Sequence, residues 1–176
     1  MTFTSKESIL ALEGAKLREQ ESIDMYQQFH DSAINQGTKA ILAELVKEER
    51  NHYAILSKLL EQAKSGVSTP SVEIGETTSA QEFLEKTFKH VTLKDFHPEH
   101  ASIDFMLQKA VVNEKESFAL YSGLADLTKE LETASVYQYL ASQENKHYDM
   151  VLNLLNFMGN PGRWLYEEEN LIFQNG

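Results

Sequence analysis

Apolar residues recur every three or four positions along four long stretches of this chain, which is the period of one helix face. The first stripe, Leu12, Ala15, Glu19, Ser22, Tyr26 and Phe29, predicts a helix from a capping box at Thr4-Ser5-Lys6-Glu7, with Thr4 as N-cap, to about Asn35. The second, Leu42, Leu45, Glu49, His52, Leu56 and Leu59, predicts a helix over 38–63. The third, Ala110, Glu114, Ser117, Tyr121 and Leu124, predicts one over 101–127. The fourth, Tyr137, Leu140, Glu144, His147, Val151 and Leu154, predicts one over 130–158. Asn35-Gln36-Gly37 reads as a helix stop with Gly37 in the left-handed conformation, and Thr128-Lys129-Glu130 reads as a cap and turn. Gly159-Asn160-Pro161-Gly162 ends the last helix.

Between 64 and 100 the period is lost. Ser65-Gly66 and Ser68-Thr69-Pro70-Ser71 are loop composition, a short helix is expected over 79–90, and His97-Pro98-Glu99-His100 is a second break. Such a segment is long enough to run the length of a helical bundle. The expected organisation is one all-α domain: a helical hairpin over 5–63, a crossover over 64–100, a second hairpin over 101–158 and a tail over 159–176. His90, His97 and His100 read as surface histidines of the connection. Trp164, Leu165, Leu171, Ile172 and Phe173 suggest that the tail packs back on the bundle or on a partner.

Each stripe carries polar residues in the apolar phase, and these polar residues repeat. Glu49-Arg50-Asn51-His52-Tyr53 and Glu144-Asn145-Lys146-His147-Tyr148 are both E-x-x-H-Y. Upstream, Glu19-Gln20-Glu21-Ser22-Ile23-Asp24-Met25-Tyr26 and Glu114-Lys115-Glu116-Ser117-Phe118-Ala119-Leu120-Tyr121 are both E-x-E-S-x-x-x-Y. All of them recur at one offset, that from Glu49 to Glu144, so the chain is an internal repeat of two hairpins. Glu19 and Glu49 are equidistant from position 34, and Glu114 and Glu144 from position 129. Each antiparallel hairpin therefore brings its upstream Glu level with its E-x-x-H.

An i, i+3 Glu–His pair offers a metal an oxygen and a nitrogen from one helix face. Four carboxylates, Glu19, Glu49, Glu114 and Glu144, are expected at mid-height in one core, with His52 and His147 a turn from two of them. Burying each charge unpaired costs several kcal/mol. Two divalent cations would neutralise all four. The donor set suits iron or manganese, with zinc a common occupant. Glu49 and Glu144 are expected to bridge, Glu19 and Glu114 to be terminal ligands, and each His to complete one metal. Tyr26 and Tyr121, two turns along from the terminal Glu residues, are candidates for hydrogen bonds to the ligand carboxylates and for relaying protons. Tyr53 and Tyr148 flank the ligand face and read as packing.

These motifs resemble the ferritin-like di-iron superfamily, most closely its rubrerythrin branch, over residues 5–158. The resemblance implies a ferritin-like four-helix bundle with an oxo- or carboxylate-bridged centre of two iron ions. It also implies reduction of hydrogen peroxide, or oxidation of ferrous iron by oxygen or peroxide. Two features depart from the rubrerythrin pattern. There is no cysteine, so no rubredoxin-type iron site lies within this chain and electrons must come from an external donor. Ser117 stands where a further, switching carboxylate is expected, one turn after Glu114, and Glu116 points about half a turn away.

Composition narrows the alternatives. The chain has 176 residues, 41% of them hydrophobic, and a net charge of −11. That length supports a sizeable core, and that charge argues against nucleic acid or an anionic membrane as partner. No apolar run approaches a membrane span, and the N-terminus lacks a signal-peptide core, so a cytoplasmic protein is expected. A homodimer is the expected assembly. The competing functional class is a non-catalytic iron-binding or storage protein of ferritin type.

Overall fold

A computed structural model describes residues 5–34, 36–66 and 101–159, and four long helices account for nearly all of them. They are α1 (Ser5–Ser32), α2 (Gln36–Lys64), α3 (Ala101–Leu127) and α4 (Leu131–Gly159). No strand occurs among the described residues, and the architecture is an all-α four-helix bundle. Every residue of the four predicted inward stripes is buried. Thr4, the short helix expected over 79–90, the three connection histidines, the crossover beyond Gly66 and the tail from Asn160 lie outside the described residues.

α1 packs chiefly on α2 and α3 on α4, which makes the two hairpins, and thinner seams join α1 to α3 and α2 to α4. Directions follow from the cross-seam pairs. Arg18 meets Ser117 while Ser22 meets Asn113, so α1 and α3 are antiparallel. His52 meets Glu144 while Glu49 meets His147, so α2 and α4 are antiparallel too. α2 and α3 therefore run the same way. The end of α2 and the start of α3 lie at opposite ends of the bundle.

One local expectation fails. Gly37 does not stop α1 in a left-handed conformation; it is buried in the first turn of α2, and α1 already ends at Ser32. The hydroxyl of Ser32 bonds back to the Gln28 carbonyl, and Ala33 N–H donates to Phe29 O, so the last turn closes three residues before the expected stop at Asn35. The left-handed glycine is Gly66 (φ 70°), after the C-terminus of α2, where its N–H donates to Ala63 O and that of Ser65 to Glu61 O.

Two apolar clusters fill the bundle, each drawing on all four helices. One contains Tyr26, Phe29, Ile41, Leu42, Leu45, Leu107, Val151 and Leu154. The other contains Leu12, Leu56, Leu59, Tyr121, Leu124, Tyr137 and Leu140. The layer between them is polar: Glu19, Ser22, Glu49, His52, Glu114, Ser117, Glu144 and His147. The apolar plugs above and below keep water from this layer.

Candidate metal centre

All six predicted ligands meet in that middle layer, and none is more than 3% exposed. The reason is local. Within each of α2 and α4 the i, i+3 spacing turns Glu and His to the same side, and the short α1–α2 and α3–α4 turns set Glu19 and Glu114 at their height.

Two half-sites result. In one, His52 Nδ1 lies 3.2 Å from Glu49 Oε2, 3.1 Å from Glu144 Oε1 and 3.6 Å from Glu19 Oε2. In the other, His147 Nδ1 lies 3.1 Å from Glu49 Oε1, 3.7 Å from Glu114 Oε2 and 3.9 Å from Glu144 Oε2. Glu49 and Glu144 thus each direct one oxygen to either half, while Glu19 and Glu114 serve one half each. The imidazoles stack between them, centroids 5.3 Å apart and 21° from parallel. Ligand atoms from Glu49, His52, Glu144 and His147 all lie within 4.8 Å of one another, a group fit to hold a metal ion.

Three of the donor oxygens also lack partners. Glu19 Oε2, Glu114 Oε2 and Glu144 Oε1 are buried with no hydrogen-bond donor in acceptable geometry. Such oxygens are costly unless something positive meets them. All three sit beside the inward-facing Nδ1 atoms, so the unsatisfied acceptors converge where a cation would stand. Carboxylate oxygens and imidazole nitrogens suit iron, manganese and zinc alike.

Electrostatics agree with this geometry. Burial, then the neighbouring Glu49 charge, raises the Glu19 carboxyl to about 8, against the pull of His52. Burial with Glu49 and Glu19 does the same to Glu144, also to about 8. Glu114 is pushed well up by burial and by Glu144 and Glu49. Burial would raise Glu49 as well, but His147 and the hydrogen bonds around it outweigh that and hold it well below the usual range. Burial opposes charge on His52, yet Glu144, Glu19 and Glu49 together push its pKa well above the ordinary value. Without a cation, burial and mutual repulsion favour the protonated forms of Glu19, Glu114 and Glu144, while His147 and the surrounding hydrogen bonds favour the ionised form of Glu49.

The two tyrosines exchange partners between hairpins. Tyr26 on α1 donates its hydroxyl hydrogen bond to Glu114 Oε1 on α3, and Tyr121 on α3 donates to Glu19 Oε1 on α1. Each terminal Glu is thereby fixed by the opposite half of the repeat. Burial and the adjacent carboxylates raise both phenols well above 10, so both stay protonated. Tyr53 packs against the apolar cluster, as expected for a flanking residue.

Sequence reasoning missed the α1–α3 seam. Arg18 donates from Nε to Ser117 Oγ (3.1 Å) and from its terminal nitrogen to Asn113 O (3.0 Å) and Glu116 Oε2 (3.0 Å). Asn113 Nδ2 donates to Ser22 Oγ (2.9 Å). Arg18 and Asn113 are repeat equivalents, as are Ser22 and Ser117, so both contacts follow one rule: a donor at the first position holds the serine of the other half. The repeat offset carried that signal in the sequence. Ser117, at the place of the absent switching carboxylate, is tied to Arg18, and Glu116 faces outward as expected.

The chain matches no protein-family model, no curated protein and no solved structure. Among the described residues no helix is long and apolar enough to cross a membrane.

Proposed function

We propose that this chain is a di-iron carboxylate oxidoreductase of rubrerythrin type, reducing hydrogen peroxide or oxidising ferrous iron in the bundle core. The observation that carries this reading is the sharing of Glu49 and Glu144 between two otherwise separate Glu–His sets. Shared carboxylates make the two cation positions neighbours, and neighbouring iron ions supply two electrons at one place, the number needed to reduce a peroxide to water. Manganese or zinc would fit the same donors.

The residues of the chain contribute four things. Glu19, Glu49, His52, Glu114, Glu144 and His147 would hold the ions. The apolar plugs exclude water and strengthen every charge interaction inside. Tyr26 and Tyr121 fix the terminal carboxylates, and these two hydrogen bonds are the contacts along which protons would be relayed to the centre, the catalytic role we give both residues. Arg18 holds Ser117 and Asn113 holds Ser22, which ties α1 to α3 beside the centre. Electrons come from a donor outside the chain, which has no cysteine. We assign the protein to the cytoplasm, with peroxide or oxygen as reactant and neither nucleic acid nor membrane as partner.

One observation favours a second reading. Ser117, held by Arg18, leaves the centre with six ligands and no switching carboxylate, which is nearer to a plain ferritin-like set and to iron binding or storage. Anaerobic loading with ferrous iron followed by stopped-flow mixing separates the two. The oxidoreductase reading expects about one peroxide consumed per centre, faster than reaction with oxygen. Faster reaction with oxygen moves the protein to ferrous-iron oxidation. No reaction with either, together with assembly into a large shell on sizing chromatography, leaves storage.

A further inference from the structure

The outer wall formed by α1 and α3 carries apolar surface that the single chain does not bury. Leu10 and Leu17 on α1, and Phe105 and Val112 on α3, are each more than half exposed, and the two pairs are repeat equivalents. Among the described residues α2 exposes no large apolar side chain, and α4 exposes only Leu131, its first residue. An open groove on this wall is lined by Met25, Phe105, Lys109 and Val112. A helix apolar on both its inner and its outer face is ordinarily covered on both.

Two glycines stand on the same wall. Gly14 follows Leu10 by one turn on α1, and Gly123 follows Ala119 by one turn on α3. Both are exposed in a helix interior, where glycine weakens the helix relative to alanine. Neither has a positive φ, and a Cβ added at either position would meet nothing within 4 Å. The fold does not ask for them, because their repeat equivalents are Lys109 and Gln28, long side chains at the same places. Glycines that serve nothing inside the chain leave room for the close approach of something outside it.

We propose that two copies of this chain pair through this wall, about a two-fold axis parallel to the helices, so that α1 of each packs antiparallel on α3 of the other. Such an axis keeps every residue at its own height, so the register is not adjustable. Arg18 meets Ser117 and Ser22 meets Asn113, which fixes the heights of α1 against α3. On that scale Leu17 comes level with Ala119 of the other copy, Leu10 with Gly123, Leu120 with Gly14 and Val112 with Met25, each to within about 3 Å. Each exposed leucine of α1 thus meets a small residue, and Leu120 covers the notch at Gly14. Lys109 comes level with Asp24, one turn from Glu21, both exposed. That opposite charge suits two chains which otherwise repel, at a net charge of −11 each. Two helices of 28 and 27 residues side by side present on the order of 800 Å², about what a stable dimer takes from each partner. The pairing concerns this surface alone and does not depend on the redox reading.

Sedimentation of the full chain is expected to show dimers at micromolar concentration. Gly123→Gln fills one notch with the side chain that the repeat equivalent already carries. It is expected to raise the dissociation constant by roughly 100-fold, since the overpacking occurs twice per dimer, while circular dichroism keeps the full helix signal. The chain has no cysteine, so the register can be trapped with introduced ones. Leu17→Cys mixed with Ala119→Cys is expected to give a disulfide-linked heterodimer under mild oxidation, and neither variant alone should link. If Gly123→Gln loses helix signal, the cross-linking pair decides. A monomer at every concentration, the result expected if the tail over 160–176 covers the wall instead, overturns the proposal. So does a dimer that folded Gly123→Gln leaves intact, or one in which either cysteine variant links to itself as fast as the mixture does.

Discussion

Filling the centre with two divalent ions should expel at least about two protons at neutral pH, because protons stand in the core where cations would. Glu19 and Glu144, raised to about 8, each carry roughly 0.9 of a proton at pH 7. Glu114, pushed up by burial and the neighbouring carboxylates, and His52, pushed up by the carboxylates around it, add to that store. Glu49, held low, carries none. Charge closes in both states of these groups: His52 offsets Glu49 before binding, and two cations offset four carboxylates after it. The combined affinity for both ions should then rise by at least about two decades per pH unit near neutrality. Calorimetric titration with zinc, which is redox-inert, in buffers of different ionisation enthalpy reads the proton number directly. A value near zero would refute the reasoning, since it would mean the buried carboxylates are already ionised without metal. Stability has the same linkage. For Glu19, Glu114 and Glu144 the folded pKa lies above the unfolded one, so the folded state binds more protons than the unfolded chain. Their contribution falls as pH rises from about 4.5, by ~1.4 kcal/mol per pH unit for each group until its folded pKa is reached. His52 adds to the loss above about pH 6.5. Glu49 is ionised in both states across this window and adds no slope. The metal-free Tm should therefore fall from about pH 5 to about pH 8, and the gain in Tm on adding metal should widen over the same range.

Elemental analysis after loading should give about two ions per chain, and a value below one would overturn the two-half geometry. Glu144→Ala removes an oxygen from both halves, so the ferric absorption and the fast peroxide phase should both vanish; unchanged peroxide reactivity would refute the site. Ser117→Ala removes only an acceptor for Arg18, and should leave both signals in place at a cost of about 1 kcal/mol in denaturant titration. Tyr26→Phe and Tyr121→Phe each strand one oxygen of a terminal Glu, so each should lower metal-free stability by about 1–3 kcal/mol; a difference between them larger than that range would contradict the exchanged pairing. Exposed Leu17, Phe105, Val112 and Phe118 on α1 and α3 leave apolar surface uncovered in a single chain, so light scattering should report a homodimer, and a monomer at micromolar concentration would count against it.

The helices were legible because their stripes obey one period, and the polar intruders were legible because they break it twice in the same way. Glu19, Glu49, His52, Glu114, Glu144 and His147 could be read together because two short turns fix their levels by numbering alone. What the sequence withheld depends on reach across helices. Tyr26 lies two turns from Glu19 on its own stripe, about 10 Å along the axis, and its hydroxyl goes instead to Glu114 on the facing helix. Nothing in the period distinguishes those destinations. Arg18 lay outside the stripes and was passed over, although its chemistry matters only at the seam. Gly37 misled because glycine at a helix boundary usually ends the preceding helix, whereas here it opens the next.

The exchange of tyrosines has a consequence for how the two hairpins find each other. Helices packed by leucines can slide one turn, about 5.4 Å, and still bury leucine against leucine. In this bundle such a slip would part Tyr26 from Glu114, Tyr121 from Glu19, and Glu49 and Glu144 from the facing imidazoles, all at once. Misaligned hairpins would bury several carboxylates with neither donor nor cation. The polar layer therefore acts as a ruler for assembly, and the group fit to hold a metal ion exists only where the two halves have been brought into the correct register.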